Sequence, residues 1–404
     1  MDNRISFMND YSEGACEEIL RRMSEENHAQ HTGYGLDSLC EEAKECIYQE
    51  MEMREASIHF LVGGTQTNRT VIAAALRPYE AVIAAKTGHI NVHETGAIEN
   101  SGHKVIAVEA EDGKLTSCAI EQAVLTHTDE HMVKPAMVYI SNATELGTIY
   151  SKRELTEISD ICQKYHLKLF LDGARLGSAL TCSENDCSMS DIAELCDVFY
   201  IGGTKNGALF GEAVVILNPD IDRDFRYMIK QNGAMLAKGW LLGIQFLGLF
   251  ENGAFYRLAE HANRMAEKIR TCLKSQKIEL FVENQTNQIF PILEDHLLEK
   301  LEREFEFTVW EKIDETHTAV RIVTSWDTKE EHVEKLIQAL EKKNSEIERE
   351  RCSVGNDSLR SSALFLVLWS LFLVRKFKVI MFRKKVKFIS GKWFIGFIIM
   401  NCFS

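Results

Sequence analysis

Three short segments of the sequence combine glycine with side chains that can do chemistry, and the first is V-G-G-T-Q-T-N at positions 62–68. A helical pattern follows it, and free backbone N–H groups and hydroxyls at the start of a helix bind anions. Gly64, Thr65 and Gln66 are therefore candidates to bind a phosphate group. The alternative is a plain glycine turn in which Thr65 caps the helix. The segment matches neither the P-loop nor the G-x-G-x-x-G pattern, which disfavours nucleoside triphosphates and dinucleotides.

The second segment is K-L-F-L-D-G-A-R at 168–175, where a buried-strand pattern ends in Asp172 and Arg175 follows after a turn of small residues. Ligands of open α/β sheets bind at the carboxyl ends of the strands, so both side chains are well placed to contact one. A carboxylate there can hold a cationic ring nitrogen, and a guanidinium can bind a carboxylate through two hydrogen bonds. The alternative is an ion pair between Asp172 and Arg175 that only caps the turn.

The third segment is V-F-Y-I-G-G-T-K-N-G-A at 198–208, in which another strand pattern ends in a glycine turn that presents Lys205. A lysine in a pocket lined by glycine and threonine can have a lowered pKa, which a Schiff-base nucleophile requires. Taken alone, the segment also fits a surface lysine in a turn. The order of phosphate-binding turn, Asp172 and Lys205, however, predicts a site for pyridoxal 5′-phosphate. Asp172 would keep the ring nitrogen protonated, and Lys205 would bind the aldehyde.

Helical and strand patterns alternate along the chain, which predicts an α/β fold with a mostly parallel sheet. Helical patterns cover the segment after Gly64 and residues 36–53 and 238–274, and the apolar stretch 240–250 is expected to be a buried helix. Apolar runs of strand length occur at 81–85, 104–108, 136–140, 167–171, 197–201 and 213–217.

Residues 285–343 form a pattern of strand, helix, strand and helix, which predicts a smaller α+β domain at the C-terminal side. A chain of 404 residues exceeds what one hydrophobic core usually serves. We expect an N-terminal segment that contributes to the active site (1–35), a large cofactor-binding domain (36–240), a linking helix with the small domain (241–343) and a tail (344–404).

The composition is that of a globular protein, with 45% hydrophobic and 26% charged residues. A net charge of −14 argues against nucleic-acid binding. The 11 cysteines are scattered without a C-x-x-C pair, and the first residues lack a signal-peptide pattern, so a cytoplasmic location is expected. His89 and His93 are spaced for a zinc site, but no third ligand is evident, and we expect no metal.

The tail differs in charge from the rest of the chain. Its last 54 residues carry 10 Lys and Arg against 1 acidic residue, whereas the preceding 350 residues have a net charge of −23. The apolar run at 362–374 has 13 residues, fewer than the roughly 20 that a transmembrane helix needs. Such a run beside basic residues can anchor a protein to an anionic membrane surface. We expect the tail to lie outside the fold, and membrane contact only through it.

From about residue 5 to residue 340, the chain resembles the threonine aldolase (β-eliminating lyase) family of pyridoxal-phosphate enzymes. The matching motifs are G-G-T-Q-T-N at 63–68, G-H-I-N-V-H-E-T-G at 88–96, L-D-G-A-R-L at 171–176 and G-G-T-K at 202–205. The resemblance implies an aminotransferase-type (fold type I) subunit with a seven-stranded sheet, working as a homodimer or homotetramer with active sites at the subunit interface. The implied reaction is cleavage of L-threonine or L-allo-threonine to glycine and acetaldehyde.

The resemblance also implies roles for single residues. His89 falls on the family's histidine that stacks over the cofactor ring. Arg321 matches an arginine that binds the substrate carboxylate, although a solvated arginine on a strand face is the alternative. Asn9 and Tyr34 match positions that line the substrate site.

Glu145 marks a departure from the family pattern. It stands in S-N-A-T-E-L-G at 141–147, where many members have a histidine. A glutamate whose pKa is raised by burial can act as a base or position a water molecule. The identity of the base, and with it the stereochemical preference at the β-carbon, stays open.

The sequence therefore predicts a pyridoxal-phosphate-dependent carbon–carbon lyase acting on a β-hydroxy-α-amino acid, with no nucleic-acid partner. The alternatives are another β-eliminating lyase or an aminotransferase and, in a different class, a non-catalytic membrane-tethered homologue. The expected catalytic residues are Lys205, His89 and Glu145. Substrate binding is assigned to Asn9, Tyr34, Arg175 and Arg321, and cofactor binding to Gly64, Thr65, Gln66, His89, Asp172, Arg175 and Lys205.

Overall fold

The structure is a computed structural model that describes residues 4–341, so the predicted tail at 344–404 lies outside the described residues. The elements are, in chain order, β1 (Ile5–Ser6), α1 (Glu17–Glu26), α2 (Ser38–Met51), β2 (Ser57–Leu61), α3 (Gly64–Ala75), β3 (Glu80–Ala85), α4 (His89–Val92), α5 (Ala97–Asn100), β4 (Val105–Val108), α6 (Ser117–Leu125), β5 (Lys134–Ser141), α7 (Lys152–Tyr165), β6 (Lys168–Asp172), α8 (Leu176–Thr181), α9 (Met189–Leu195), β7 (Val198–Gly202), β8 (Glu212–Ile216), α10 (Pro219–Asp222), α11 (Phe225–Gln231), α12 (Trp240–Phe250), α13 (Ala254–Ser275), β9 (Gln288–Ile289), β10 (Ile292–Glu294), α14 (Asp295–Leu301), β11 (Phe305–Glu306), β12 (Thr308–Lys312), β13 (His317–Val323) and α15 (330–341).

The large sheet has seven strands in the order β2-β8-β7-β6-β5-β3-β4. Five neighbouring strands of this sheet run parallel, namely β4, β3, β5, β6 and β7. Strand β8 is antiparallel to both β7 and β2. Separate apolar clusters cover its two faces, which explains why β3, β6 and β7 read as nearly continuous apolar runs. The predicted α/β fold with a mostly parallel seven-stranded sheet is confirmed.

The turn after β6 lies directly against the end of β7. The Gly202 N–H donates to the Gly173 carbonyl at 3.0 Å. A Cβ atom on residue 173 would lie 1.9 Å from the carbonyl oxygen of Tyr200, so only glycine fits between the two strand ends. This close approach brings Asp172, the last residue of β6, next to the Thr204–Lys205 turn that follows β7.

A smaller sheet follows in the chain, and it has the predicted α+β character. Strand β13 pairs antiparallel with β9, β10 and β12. The apolar residues behind it come from α13, α14 and α15, together with Phe7 near the N-terminus. Strand β1 pairs with β11, so the N-terminal segment is anchored to this part of the fold. The boundaries of the four predicted parts stay a prediction.

Three of the local features that differ from the sequence prediction concern β2, α13 and α3. Strand β2 was not predicted, because its five residues are only partly buried at the sheet edge. The helical stretch at 238–274 is two helices, with α13 starting after Gly253 in the left-handed conformation (φ +63°). The N-cap of α3 is Gly63 rather than Thr65.

None of the helices in residues 4–341 is long and apolar enough to cross a membrane. The apolar helix α12 has 11 residues, and most of them are buried, as predicted.

Candidate active site

A cavity of about 410 Å³ opens where β5, β6 and β7 end, a volume typical of small-molecule and cofactor sites. It lies at the carboxyl ends of the parallel strands, where ligands of α/β sheets bind. Most of the predicted site residues line it, namely Gly64, Thr65, His89, Glu145, Asp172, Arg175 and Lys205.

The predicted phosphate-binding turn forms the start of α3. The first helical hydrogen bond runs from the Thr67 N–H to the Gly63 carbonyl at 3.0 Å. The N–H groups of Gly64, Thr65 and Gln66 therefore have no helical acceptor. Because the helix dipole adds positive potential at this end, the turn is suited to bind an anion.

The side chain of Gln66 does not line the cavity, so the predicted role of Gln66 depends on its backbone N–H. Its Oε1 accepts from the Val62 N–H at 3.3 Å, and its Nε2 lies 3.5 Å from the Gly233 carbonyl oxygen. Only the backbone N–H of Gln66 is available to a ligand of this turn.

Asp172 is held as a hydrogen-bond acceptor at the floor of the cavity, and only 3% of it is exposed. Its Oδ2 accepts from the Tyr139 hydroxyl and from Asn68 Nδ2 at 3.2 Å, while its Oδ1 accepts from the Ala174 N–H at 2.9 Å. Burial and the Asp172 charge hold the pKa of Tyr139 well above its usual value, so the phenol keeps its proton and donates. Asp172 is thus fixed in position as a carboxylate.

Lys205 follows β7 and lines the cavity with no hydrogen bond or ion pair to its Nζ from any residue in 4–341. Burial lowers the pKa of Lys205, and the positive charge of Arg175 lowers it further. A lysine nucleophile needs such an environment, because only the uncharged amine attacks a carbonyl carbon.

His89 is oriented by a buried carboxylate that the sequence analysis did not assign. Its Nδ1 lies 2.8 Å from Oε1 of Glu94, whose side chain has no exposed surface. The same oxygen accepts from Asn68 Nδ2 at 2.7 Å, and Asn68 also donates to Asp172. A carboxylate only accepts, so we assign the imidazole proton to Nδ1, which leaves Nε2 free to exchange a proton.

Glu145 lies between β5 and α4. Its Oε1 accepts from Ser141 Oγ at 2.8 Å and from the His89 N–H at 2.9 Å. Burial raises the pKa of Glu145, and the Asp172 charge adds to this, whereas the Ser141 and His89 hydrogen bonds oppose it. A carboxylate with a raised pKa is a stronger base than a surface glutamate.

Arg175 is paired with Asp10 rather than with Asp172, so the alternative interpretation, an ion pair between Asp172 and Arg175, is wrong. Arg175 Nε and Nη2 bind the two Asp10 oxygens at 2.7 and 3.0 Å, and Asn287 Nδ2 donates to Asp10 at 2.9 Å. Asp10 is 1% exposed. Burial by itself would raise the pKa of Asp10, but the Arg175 charge keeps it below its usual value. The Arg175 Nη1 has no hydrogen-bond partner within the described chain.

Arg321, on β13, lies near this pair without lining the cavity. Its Nη2 is 3.4 Å from the Met8 carbonyl oxygen, and its guanidinium is 5.9 Å from the centre of the Trp310 ring. Burial lowers the pKa of Arg321, followed by the charge of Arg175.

Asn9 and Tyr34 do not line the cavity in the single chain, and their role in substrate binding stays a prediction. The Asn9 Oδ1 accepts from the Tyr11 N–H at 3.0 Å and from the Ser12 hydroxyl at 2.9 Å in a local turn, and the neighbouring Asp10 points to Arg175 instead. Tyr34 is 47% exposed, and its ring lies 5.2 Å from the Lys230 ammonium group, beside a different cavity.

The residues present fit pyridoxal 5′-phosphate. The turn of α3 offers unpaired N–H groups for a phosphate, and a Cβ on residue 64 would stand 3.2 Å from the Tyr200 hydroxyl and fill that space. Asp172 offers a fixed anion for a cationic ring nitrogen, and Lys205 offers a free amine. No group of three or more His, Cys, Asp or Glu side chains in residues 4–341 is arranged to hold a metal ion.

Four buried residues with polar groups around the cavity were not predicted from the sequence: Asp10, Glu94, Tyr139 and Glu212. Glu94 lies in the motif at 88–96, five residues after His89, and this short spacing could have predicted it as a partner of His89. Asp10 and Tyr139 are 165 and 33 residues from their partners Arg175 and Asp172, and no local pattern predicts such pairs.

Comparison with known proteins places the chain in a defined group. The family model described as beta-eliminating lyase matches residues 7–296. The low specificity L-threonine aldolase of Pseudomonas aeruginosa is 33% identical over 341 residues, which cover 83% of this chain and 96% of that protein. A similar protein of the same name from a Pseudomonas species is 32% identical over 340 residues, covering 83% and 96% of the two chains.

Solved structures agree with the fold. The threonine aldolase of Leishmania major superposes with a TM-score of 0.83 at 46% identity, covering 84% of this chain and 99% of that one. An aspartate aminotransferase from Thermus thermophilus has a TM-score of 0.63 at 13% identity, covering 83% and 91%, and shares the fold alone.

Proposed function

This chain belongs to the beta-eliminating lyase family, and we propose that it is a threonine aldolase that splits L-threonine or L-allo-threonine into glycine and acetaldehyde. Its cofactor is pyridoxal 5′-phosphate. The observation that carries the proposal is the single cavity in which the start of α3, Asp172 and Lys205 meet. The names of the similar proteins support the choice of substrate.

When bound, pyridoxal 5′-phosphate withdraws electrons from Cα of an amino acid attached to it, which makes cleavage of the Cα–Cβ bond possible. We assign the amine of Lys205 to the cofactor aldehyde, and the Asp172 carboxylate to the ring nitrogen, where it holds a proton. The Arg175 Nη1 is assigned to the substrate carboxylate, because a guanidinium pairs well with that group. Arg321, which lies near Arg175 without lining the cavity, stays a candidate for the same group.

Proton transfer occurs at the other end of the substrate. A base removes the proton of the β-hydroxyl, the Cα–Cβ bond breaks, and the β-carbon leaves as an aldehyde. Cα keeps the electron pair and takes up a proton to give glycine. The bases available in the cavity are the Glu145 carboxylate and His89 Nε2. The backbone N–H of His89 donates a hydrogen bond to Glu145, so the two residues are in contact.

We expect Glu145→Gln to lower kcat by about 10²-fold, because an amide cannot accept the β-hydroxyl proton. In the parent, activity should fall as pH drops through the pKa of Glu145, and burial places this acidic limb above the usual pKa of 4.5. A pH–rate profile of kcat for both proteins measures this, and the limb should be absent in the variant.

Ser141→Ala is the matched control. It removes the hydrogen bond that lowers the pKa of Glu145, so the acidic limb should move to higher pH. If Glu145→Gln and its parent have the same profile, Glu145 has no part in the mechanism, and His89 is left as the base.

We expect Glu94→Gln to lower kcat by about 10-fold or more through His89, because an amide NH₂ at the Nδ1 position favours the opposite imidazole tautomer. The ¹⁵N chemical shifts of the His89 ring report the tautomer directly. A double-mutant cycle with His89→Phe supplies the control. If Glu94→Gln costs as much in the His89→Phe background as in the parent, Glu94 does not act through His89.

We further propose a homodimer or homotetramer in the cytoplasm. Large apolar side chains are exposed on the single chain, including Tyr34, Leu36 and Tyr227 at 47%, 58% and 78%, and a partner subunit would cover such residues. All nine described cysteines are free thiols, which suits a reducing compartment. Sedimentation of the full chain tests the assembly.

A panel of amino acids tests the proposed substrate. The full chain with pyridoxal 5′-phosphate should release acetaldehyde from L-threonine and L-allo-threonine, and no aldehyde from L-alanine. Release of ammonia and 2-oxobutyrate from threonine would instead indicate β-elimination. A protein that binds the cofactor but turns over none of these amino acids would contradict the proposal.

A further inference from the structure

Glu212 is a buried carboxyl group that none of the assigned roles uses. It is the first residue of β8, is 4% exposed, and lines the same cavity as Lys205. Its Oε1 has one distant partner, Thr204 Oγ1 at 3.5 Å. Its Oε2 is buried and has no hydrogen-bond partner in the described part of the chain, which is costly unless a ligand supplies one.

The sheet register places Glu212 between the phosphate-binding turn and Lys205. Glu212 pairs with Leu61 on one side and with Gly202 on the other. Leu61 is the last residue of β2, which leads directly into Gly63 and Gly64. Gly202 is the last residue of β7, which leads to Lys205, so both parts of the cofactor site begin beside Glu212.

The groups facing Glu212 favour its neutral form. Burial raises the pKa of Glu212 to about 8, and the Asp172 charge adds to this, whereas the Lys205 charge opposes it. Tyr200 also faces Glu212, and burial holds the pKa of that phenol well above its usual value, so it is uncharged. When Lys205 is uncharged, the neutral acid is favoured further, and a neutral carboxyl group can donate a hydrogen bond.

We propose that Glu212 binds the phosphate of pyridoxal 5′-phosphate as a neutral carboxylic acid, donating the proton of its free oxygen to a phosphate oxygen. This deepens the proposed function and rests on it, since it takes that cofactor as the ligand. An ionised Glu212 would repel the phosphate, so affinity for the phosphorylated cofactor falls as Glu212 loses its proton.

The test uses pyridoxine 5′-phosphate, which has a hydroxymethyl group in place of the aldehyde and cannot bond to Lys205. Its Kd is measured by calorimetry on the full chain at pH 7 and pH 9.5 for wild type and Glu212→Gln, an amide that donates but does not titrate. From pH 7 to pH 9.5, the ratio of the wild-type Kd to the variant Kd should rise about 30-fold. The reason is that the neutral fraction of an acid with a pKa of about 8 falls by that factor between these two pH values. Titration of the phosphate occurs in both proteins and cancels. The titration of Lys205 depends on Glu212, and repeating both measurements in the Lys205→Ala background removes it.

Pyridoxine without the phosphate is the matched ligand control, and its wild-type Kd should not show the 30-fold change. A Kd ratio that stays constant with pH overturns the role of Glu212, and so does a pH effect of equal size with pyridoxine. If neither protein binds pyridoxal 5′-phosphate at any pH, the proposed function itself fails. If Glu212→Gln does not fold, the two ligands are compared in Lys205→Ala, which keeps Glu212 and removes the titration of Lys205.

Discussion

Replacing Lys205 by alanine should lower turnover of L-threonine by about three orders of magnitude or more, because covalent catalysis depends on that amine. Burial and the Arg175 charge lower the pKa of Lys205, and its Nζ has no hydrogen bond or ion pair within residues 4–341. After borohydride reduction, mass spectrometry of the digested wild-type protein should find the cofactor attached to the peptide that contains Lys205. The variant should carry none.

Lys86→Ala is the control for this experiment. Lys86 forms an exposed ion pair with Glu109 at 2.7 Å, and such pairs contribute little to stability. Its loss should leave turnover and cofactor attachment unchanged. Attachment of the cofactor to another lysine in Lys205→Ala would show that the assignment is wrong.

Asp172→Asn should lower kcat by about 10² to 10³-fold, a loss typical when a preorganised charge at the reacting centre is removed. An amide cannot hold the proton on the ring nitrogen as a carboxylate does, but it is similar in size, and its one oxygen can still accept from the Ala174 N–H while its NH₂ group donates to the Tyr139 hydroxyl. The cofactor should therefore stay bound, as measured by the absorbance of the purified variant.

Tyr139→Phe distinguishes the effect of the Asp172 charge on kcat from the effect of a hydrogen bond to Asp172. It removes one donor to Asp172 but keeps the carboxylate and the ring volume, so kcat should fall much less than in Asp172→Asn. An equal loss of kcat in the two variants would contradict the role given to the Asp172 charge. Unchanged kcat in Asp172→Asn would show that Asp172 has no part in catalysis.

The parts of the site that follow strands could be predicted from the sequence. Asp172 and Lys205 each come directly after a run of buried apolar residues, and parallel strands end at the same edge of a sheet, so their meeting follows from the pattern. The start of α3 could be placed for the same reason, as a glycine turn ahead of a helical pattern.

Side chains that meet across long separations could not be predicted in this way. The sequence predicts that Arg175 binds a substrate or pairs with Asp172. In the structure, the pairing of β1 with β11 anchors the N-terminal segment, and this segment brings Asp10 to Arg175. Glu212 begins a strand whose antiparallel direction the sequence does not reveal, and only the register with β2 and β7 shows that it faces the cavity.

The most direct test of the account is the product balance from uniformly ¹³C-labelled L-threonine, followed by NMR with the full chain and pyridoxal 5′-phosphate. We predict that glycine and acetaldehyde appear in equal amounts as threonine disappears, and that Lys205→Ala forms neither at a measurable rate. Labelled 2-oxobutyrate in place of glycine and acetaldehyde would contradict the account. So would a wild-type protein that has the cofactor bound and leaves both L-threonine and L-allo-threonine unchanged.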